Sequence, residues 1–247
     1  KDLGEYNNAN KYFMSAFEYK LKLLKWNFSW LSEKERQDYW SKENIFMNEL
    51  NLFASLAHEK FPMSVELAYN SNLVSKSLLL ETSKQLDNAL SKSNNKRLNA
   101  NYRSLKLLRG NYKKLVSEGS ENKDLINRLK FESDSLDKIL VNELQEYSNS
   151  KQKLDITWKK VQQNLEEGEA AIEFVRFRED EDSAYQYQAL IIRKDLELPV
   201  LAPLCDESKL AELEPRIDFG EYYPLVWRPI EKHLKGIHTI YYAPVGE

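Results

Sequence analysis

The sequence predicts an α+β fold by content, in which an all-α N-terminal part precedes the first half of an α/β sheet. Pro62 is the only proline before Pro199, and a stretch of about 135 residues without proline permits long helices. After Gly168 the spacing of apolar residues changes from the helical period of about 3.6 to the strand period of 2. The charge changes there too, from 27 basic and 23 acidic residues before it to 9 and 16 after it. We therefore predict a helical scaffold over residues 1–153 and a sheet-forming part over residues 154–247.

Composition limits the class of protein. A chain of 247 residues forms one large domain or two small ones. Its 36 basic and 39 acidic side chains give a net charge of -3, which excludes a bulk polycation that coats nucleic acid. The single cysteine, Cys205, excludes a disulfide framework and a paired-cysteine zinc or redox site. No apolar run reaches the ~18–20 residues that span a bilayer, and no signal peptide leads the chain, so we expect a cytoplasmic location without membrane partners.

The first three helices are predicted from apolar patterns and their end signals. Residues 11–31 are rich in Tyr, Phe, Leu and Trp. Ser32 is the predicted N-cap of a helix over residues 33–60, which Pro62 ends. Ser64 is the predicted N-cap of the next helix. The apolar positions of that helix include Val65, Ala68, Leu73, Leu80, Leu86 and Leu90.

Two further apolar stripes predict a long antiparallel helical hairpin, joined by a polar turn at residues 117–120. One position near Glu132 interrupts the second stripe. A last short helix is predicted from the cap Asp155 to Gly168, which supplies the left-handed residue after the helix end. The stripes consist of Leu98, Tyr102, Leu105, Leu108, Tyr112 and Leu115, and of Leu125, Leu129, Leu136, Leu140, Leu144 and Tyr147.

Beyond Gly168 the pattern predicts strands at residues 170–177, 185–193 and 198–202, with an acidic turn between the first two. A regular pleat places Ile172 and Phe174 on one face of the first strand. A helix over residues 223–234 ends at Gly236. The apolar run 237–243 then predicts a strand buried on both faces of a parallel sheet. Because the chain begins at Lys1 and stops shortly after this run, we interpret the sequence as a fragment.

Cys205 together with His233 or His238 is the obvious candidate for a nucleophilic pair. Such a dyad requires an imidazole within hydrogen-bond distance of the sulfur, so that a thiolate forms at neutral pH. Asp206 and Glu207 follow the cysteine, and acidic neighbours raise the pKa of a thiol. We therefore favour an inert cysteine beside a strand end.

The three histidines are predicted to be structural. His233 is expected on a solvated helix surface, and His238 as a hydrogen-bonded residue within the buried strand. His58 lies near a helix end, where the dipole favours an imidazolium. None has a partner at metal-ligand spacing, so no catalytic, cofactor-binding or metal-binding residue is predicted, and no cofactor.

Residues 88–117 carry eight basic side chains and no acid, so they are a candidate surface for phosphates or an acidic partner. The alternative, which we favour, is a solvated helix face balanced by acids on the paired helix, so nucleic acid is not an expected partner. The basic residues are Lys92, Lys96, Arg97, Arg103, Lys106, Arg109, Lys113 and Lys114. The balancing acids are Glu121, Asp124, Glu132, Asp134 and Asp137.

Two acidic clusters, at residues 166–169 (EEGE) and 179–182 (EDED), are interpreted as turn residues. The second cluster forms the predicted tip of a hairpin, and recognition of a basic peptide there is an open alternative.

Six stretches, taken in order, form a recognisable series. Residues 31–40 (LSEKERQDYW) match L-S-x-x-E-R-x-x-Y-W, and residues 68–80 (AYNSNLVSKSLLL) match A-Y-x-x-x-L-x-x-K-G-L-L-L. Residues 158–175 match a helix and a first strand, and 187–192 a second strand. Residues 225–230 match L-x-W-x-P-L, and 240–247 match a strand ending in P-x-G. Together they resemble large bacterial proteins in which tetratricopeptide-type helical repeats precede a CHAT domain.

The resemblance implies a caspase-like cysteine protease of the same broad clan as separase. It has a Cys–His dyad, is associated with bacterial defence and programmed cell death, and often acts on a partner protein after activation. The catalytic His and Cys of that family follow its P-x-G turn on further parallel strands, so none is carried over and Cys205 is not a match. The sequence departs from the family at Ser77, where glycine is usual, and at Val245, where aspartate is frequent.

We expect this chain to be the helical scaffold, with degenerate tetratricopeptide-like helices, and the non-catalytic front part of a CHAT cysteine endopeptidase. It would be inactive alone, and its partners would be proteins bound by the helical region and the remaining C-terminal half of the protease domain. The alternative is a helical protein-interaction adaptor without catalysis. A third hypothesis is nucleic-acid contact through residues 88–117, which a salt-dependent gel shift abolished by changes at Arg103, Arg109 and Lys113 would support.

Overall fold

The computed structural model describes residues 3–28, 31–77, 95–145, 156–213 and 219–245. Helices account for 65% of these residues, and four strands form one mixed sheet. This confirms the predicted α+β class, with a helical region followed by a sheet. None of the helices described there is both long and apolar enough to cross a membrane.

The chain divides into two compact units, each assembled from separate stretches. The first contains Lys1–Glu18, Glu43–Lys76 and Leu154–Glu247, and the second contains Tyr19–Lys42 and Ser77–Lys153. The boundary at residue 153 between the helical scaffold and the sheet-forming part stays a prediction.

Helices α1 (Leu3–Phe28) and α2 (Glu33–Ala57) begin the chain. Ser32 is the N-cap of α2, as predicted, and forms a capping box with Glu35. The Ser32 amide donates to the Glu35 carboxylate at 2.7 Å, and the Glu35 amide donates to the Ser32 hydroxyl at 3.4 Å. Helix α2 ends at Ala57, three residues before the predicted end.

Helix α3 covers residues 64–77. The prediction that Ser64 is its N-cap is wrong, because Ser64 is itself helical. Its hydroxyl donates to the carbonyl oxygen of Phe61 at 2.8 Å, within the turn that contains Pro62. The predicted apolar positions Leu80, Leu86 and Leu90 lie outside the described residues.

Helices α4 (Lys96–Ser117) and α5 (Lys123–Gln145) form the predicted hairpin. The Arg97 guanidinium contacts the Glu143 carboxylate at 2.6 Å, which joins the start of α4 to the end of α5 and shows that they are antiparallel. Gly119 lies in the connecting turn with a φ of +65°. The interface buries the predicted stripe residues Leu98, Leu105 and Leu140, with Tyr102 and Leu136 packed against them.

Helix α6 (Trp158–Asn164) is capped by Thr157, whose hydroxyl accepts from the Lys160 amide at 3.4 Å. The predicted cap, Asp155, lies outside the described residues. Gly168 has the predicted left-handed conformation, with a φ of +80°, but it lies in the turn before the first strand because α6 ends at Asn164. A Cβ at Gly168 would overlap the imidazole of His238, so both the backbone angle and the space require glycine.

Strands β1 (Glu169–Phe177), β2 (Gln186–Arg193), β3 (Val200–Asp206) and β4 (Thr239–Ala243) form a sheet in the order β3-β2-β1-β4. Strand β2 pairs antiparallel with both β1 and β3, and β4 pairs parallel with β1. The four predicted strands are thus confirmed in number and order, as is the parallel pairing of the last one. The third is displaced, because β3 runs from Val200 to Asp206 instead of over residues 198–202, and β4 begins two residues later than predicted.

The two faces of the sheet carry separate apolar clusters. As predicted, Ile172 and Phe174 share a face, where they pack with Ala189, Ile191, Ala202 and Ile230. The opposite face packs against α2, α3 and α6. Its buried residues are Ala54, Val65, Ala68, Tyr69, Trp158, Leu165, Ala171, Val175, Leu190, Ile192 and Leu201.

Two predictions about the C-terminal segment are wrong in detail. Instead of one α-helix over residues 223–234, the chain forms α8 (Phe219–Tyr222), a π-helical turn (Tyr223–Trp227) and a 3-10 turn (Arg228–His233). Pro224 and Pro229 explain this, because each lacks an amide hydrogen for a regular helical ladder. Strand β4 is outermost in the described sheet, and its Tyr241 and Tyr242 are 54% and 58% exposed, so it is not buried on both faces.

Candidate functional site

Cys205 has the properties of an unreactive thiol. It lies near the end of β3 and is only 6% exposed. Burial, and then the Asp206 carboxylate, raise the pKa of the Cys205 thiol, in the direction expected from its acidic neighbours. Asp206 is itself engaged, since its carboxylate caps the short helix α7 (Glu207–Ala211) by accepting from the Lys209 amide at 3.1 Å.

The sheet separates Cys205 from both candidate histidines. His238 directly precedes β4, three strands away from β3, and three interstrand spacings amount to about 14 Å. The His233 carbonyl accepts from the Arg193 guanidinium at 2.9 Å, at the far end of β2 from the Gln186–Asp206 pair, roughly 23 Å along the strand. The described residues therefore contain no Cys205–His dyad.

Two of the three histidines, His233 and His238, differ from their predicted environments, whereas His58 lies near a helix end as predicted. His238 is exposed and precedes the strand, instead of being buried within it. His233 is half-buried instead of solvated, and burial, followed by Lys232 and Arg193, lowers the pKa of its imidazole. His58 lies just after α2, where its Nδ1 is 2.9 Å from the Ser55 carbonyl oxygen. Among the described residues no three His, Cys, Asp or Glu side chains are grouped to hold a metal ion.

We expect Cys205 in the native chain to react with iodoacetamide at least about tenfold more slowly at pH 7.5 than in the urea-unfolded chain. Burial limits access, and the raised pKa reduces the thiolate population. Labelling rates followed by intact mass measure both states. A native rate equal to or above the unfolded rate would contradict the assignment and indicate an activated thiol.

The strongest polar constellation in the first unit is a buried ion pair that the sequence did not single out. Lys76 on α3 donates to the carboxylate of Glu173 in β1 at 2.7 Å. Glu173 is buried, and its burial raises the pKa of its carboxyl group, which the Lys76 charge and hydrogen bond oppose. Tyr69, two turns earlier on the same face of α3, is also buried, and its phenol donates to the carbonyl of Ala171 at 3.5 Å.

Lys76 also joins the two parallel strands where their pairing ends, at the last residue of β4 and within β1. Its ammonium donates to the carbonyl oxygens of Phe174 in β1 and of Ala243, the last residue of β4, each at 3.0 Å. The β1–β4 ladder ends at the Glu173–Ala243 pair, so the ammonium takes over where the backbone pairing stops. On the opposite face of the sheet, the rings of Phe174, Trp227 and Tyr242 meet edge to face with centroids 5.8 to 6.3 Å apart.

A second polar cluster lies between α2, α3 and β2. The Asn72 side-chain amide donates to the Asn51 side-chain oxygen at 2.7 Å, and the Gln188 amide donates to the Asn51 carbonyl at 3.4 Å. Nearby, the Asn48 side chain binds both the amide and the carbonyl of Arg178, at 2.8 and 2.7 Å. These side-chain amides connect α2 to β2 and to the turn that follows β1.

A cavity of about 410 Å³ lies next to this cluster, between α2 and the ends of β1, β2 and β3. Apolar and polar side chains contribute to its wall. The lining residues are Leu52, Ser55, Leu56, Phe177, Glu179, Ser183, Ala184, Gln186, Tyr187, Gln188, Pro203 and Leu204.

The basic stretch over residues 88–117 is in part neutralised within the second unit, although mostly by other acids than those predicted. Arg109 contacts Glu33 at 2.8 Å and the predicted acid Asp137 at 3.2 Å, Lys114 contacts Glu118 at 4.0 Å, and Arg97 contacts Glu143. The predicted acids Asp134 and Glu132 instead contact Lys34 and Arg128, which lie outside the stretch. Lys92 lies outside the described residues.

Both acidic clusters contribute to turns, as predicted. The Asp180 carboxylate accepts from the Ser183 amide and hydroxyl at 2.8 and 2.7 Å, which fixes the β1–β2 turn. The Glu169 carboxylate accepts from the Glu166 amide at 2.9 Å and from the Tyr241 hydroxyl at 3.0 Å. Hydrogen bonding by Ser183, which burial opposes, lowers the pKa of Asp180.

Comparison of the chain with protein-family profiles, with curated proteins and with solved structures finds no significant match.

Proposed function

We propose that this chain forms the helical scaffold and the non-catalytic front part of a CHAT-type cysteine endopeptidase of the bacterial cytoplasm. The complete enzyme would cleave a partner protein in defence or cell-death signalling. The ordered series of motifs between residues 31 and 247 supports the assignment to this class. The observation that carries the proposal is the placement of β4, which is parallel to β1 and outermost in the described sheet.

In open α/β sheets, ligands and catalytic groups collect beyond the carboxyl ends of parallel strands. Here β1 and β4 are a parallel pair, and Lys76 binds the carbonyl of Ala243 at the carboxyl end of β4 and that of Phe174 within β1. Further parallel strands added beside β4 would carry the catalytic His and Cys at the same end of the sheet. The part described here would position that half of the enzyme, and the helices would recruit partners.

The test is to sequence the gene beyond codon 247 and to assay its complete product. We expect a His-Gly pair and then a Cys, each at the end of a predicted strand, within about 150 residues, the size of one domain. Peptide hydrolysis by the complete product should disappear when that Cys is replaced by Ala, and the 247-residue chain alone should be inactive. Absence of the His and Cys, or activity of the chain alone, would overturn the proposal.

A second candidate function is that of a helical interaction adaptor without catalysis. The helical hairpin favours it, because Leu107 on α4 and Phe131 on α5 are large apolar side chains that remain exposed in the described residues. Exposed apolar side chains of this size suit contact with another protein. The same gene sequence discriminates, because inert residues at both dyad positions would favour the adaptor.

A further inference from the structure

Helix α4 carries a second stripe of residues, on the side away from the hairpin interface. Their spacing of seven, four, three and four residues places all of them within about 40° of one line along the helix, opposite the buried Leu98 and Leu105. Every member of this stripe is exposed. We call it the outer face of α4, and it consists of Lys96, Arg103, Leu107, Gly110 and Lys114.

The charge of the outer face is positive and largely uncompensated. Helix α4 contains no acidic residue. Neither Lys96 nor Arg103 has a carboxylate partner in the part of the chain that the structure describes. Lys114 has only a contact of 4.0 Å with Glu118, in which both side chains are more than half exposed. Exposed contacts of this kind contribute little, so the charges of the outer face stay available to a partner.

The middle of the outer face is apolar. Leu107 is 68% exposed, with Arg103 one turn before it and Gly110 one turn after it. An apolar centre with a charged rim is the usual arrangement of a protein interface. A surface that binds only phosphates needs no apolar centre, so the leucine favours a protein partner over nucleic acid.

Gly110 leaves a notch in the outer face that the folded chain does not require. It lies in the interior of α4, where glycine is the least favourable residue after proline. Its φ is not in the left-handed region, and no atom of the described residues lies within 4 Å of a Cβ built on it. Neither the backbone angle nor internal packing therefore accounts for this glycine. A missing side chain does allow the backbone of a partner to approach α4 closely.

Charge and shape together indicate the occupant. A second copy of the chain would present the same cations, so like charges would oppose its docking. A helix with acidic residues beside an apolar stripe fits better, because it can place an apolar side chain against Leu107 and its backbone over Gly110. Arg103 and Lys114 are about 17 Å apart along α4, which corresponds to three turns of such a helix.

We propose that the outer face of α4 docks an acidic amphipathic helix of a partner protein. Leu107 and Gly110 form the apolar centre of the docking surface, and Lys96, Arg103 and Lys114 bind carboxylates along its rim. The proposal rests on the scaffold role proposed above, since it names the chemistry of the partner that the helices recruit, and it requires no protease activity.

The experiment titrates the full chain into a fluorescent peptide made of three repeats of the heptad Glu-Ala-Leu-Glu-Ala-Leu-Glu and follows fluorescence anisotropy. We expect saturable binding with a dissociation constant below about 100 μM in about 0.05 M NaCl. Binding should weaken at least about fivefold in about 0.3 M NaCl, because salt screens exposed charges. A control peptide with Lys in place of every Glu keeps the leucine stripe, reverses the charge and should not bind.

Variants of the chain locate the binding surface. Arg103→Gln and Leu107→Ser should each weaken binding about threefold or more. Lys130→Gln removes an exposed positive charge from α5 and should change affinity less than about twofold. Gly110→Gln fills the notch and should weaken binding about fivefold or more. It should also raise the midpoint of thermal unfolding, because glutamine favours a helix more than glycine does, so misfolding would not explain the lost affinity.

The proposal is overturned if the acidic peptide does not bind at about 1 mM, or if the lysine peptide binds as tightly. Equal losses in Arg103→Gln and Lys130→Gln would also overturn it, because they would show a general attraction to positive charge. So would unchanged binding in Gly110→Gln. A DNA duplex of about 20 base pairs is titrated in parallel, and tighter binding of the duplex than of the peptide would assign the outer face to nucleic acid instead. All these outcomes are independent of the gene sequence beyond codon 247, so the proposed endopeptidase is tested separately.

Discussion

Replacing Lys76 by Met is expected to lower the free energy of unfolding by about 3–5 kcal/mol at pH 7, because it leaves the buried Glu173 carboxylate without its partner. The substitution also removes the donor for the carbonyl of Phe174 within β1 and for that of Ala243 at the end of β4. Urea unfolding monitored by circular dichroism measures the loss. Lys60→Met, at an exposed position, should change stability by less than about 0.5 kcal/mol.

The pH dependence identifies the cause of that loss. Burial already raises the pKa of Glu173 in the folded chain, and Lys76 opposes the rise. A carboxyl group with a raised folded pKa contributes stability below its unfolded pKa, and this contribution is lost as the pH rises through the folded pKa. Without Lys76 the folded pKa rises further, so the deficit of Lys76→Met should be larger at pH 7 than at pH 5.

A double variant separates charge from packing. In Lys76→Met with Glu173→Leu, both charges are gone, and the deficit at pH 7 should shrink to about 1 kcal/mol and lose its pH dependence. If Lys76→Met alone instead loses little stability, and equally little at pH 5 and pH 7, the buried ion pair of Lys76 and Glu173 does not form.

Replacing Asp137 by Ala is expected to cost about 3 kcal/mol in the second unit. Asp137 is 2% exposed on α5 and caps α2 from outside, since its Oδ2 accepts from the Glu33 amide at 2.6 Å. Its other oxygen lies 3.2 Å from the Arg109 guanidinium. Burial lowers the pKa of the neighbouring Arg36, and the Asp137 charge opposes that effect, so its removal leaves two close guanidinium groups without this carboxylate.

Two further variants show whether the loss of stability in Asp137→Ala comes from the buried cap. Asp137→Asn keeps an oxygen for the Glu33 amide and loses only the charge, so its deficit should be intermediate in urea unfolding. Asp134→Ala, on the same helix, breaks a solvent-exposed contact with Lys34 at 3.7 Å and should cost less than about 1 kcal/mol. Equal deficits for the Asp134 and Asp137 variants would show that the buried cap contributes nothing.

Features that depend on neighbouring residues were predictable. Ser32 and Glu35 form a capping box whose two partners are three residues apart, and both appear in the sequence. The hairpin of α4 and α5 follows from apolar stripes that each helix carries by itself. The shared face of Ile172 and Phe174 follows from the pleat alone. In each case the physical cause lies within one element or one turn.

Features that depend on residues far apart in the sequence were not predictable. Glu173 is 97 residues from Lys76, and no local pattern identifies it as a buried carboxylate. Asp137 was recognised only as a balancing charge, although it caps a helix 104 residues away. The error at β4 has another cause, because Tyr241 and Tyr242 count as apolar in a pattern, while their polar tips make exposure acceptable. The cavity beside α2 was also missed, because residues of α2, β1, β2 and β3 form its wall together.

The mixed pairing of β1 determines the order in which the sheet assembles. Strands β1, β2 and β3 follow one another along the chain, so their ladders close short loops. The five-residue ladder of β4 instead pairs Glu169 with Thr239, 70 residues later. Closing a longer loop costs more entropy and slows folding. We therefore expect strand β4 to pair last during folding and to open first, so that its amides exchange with solvent faster than those of β2 in a hydrogen-exchange experiment.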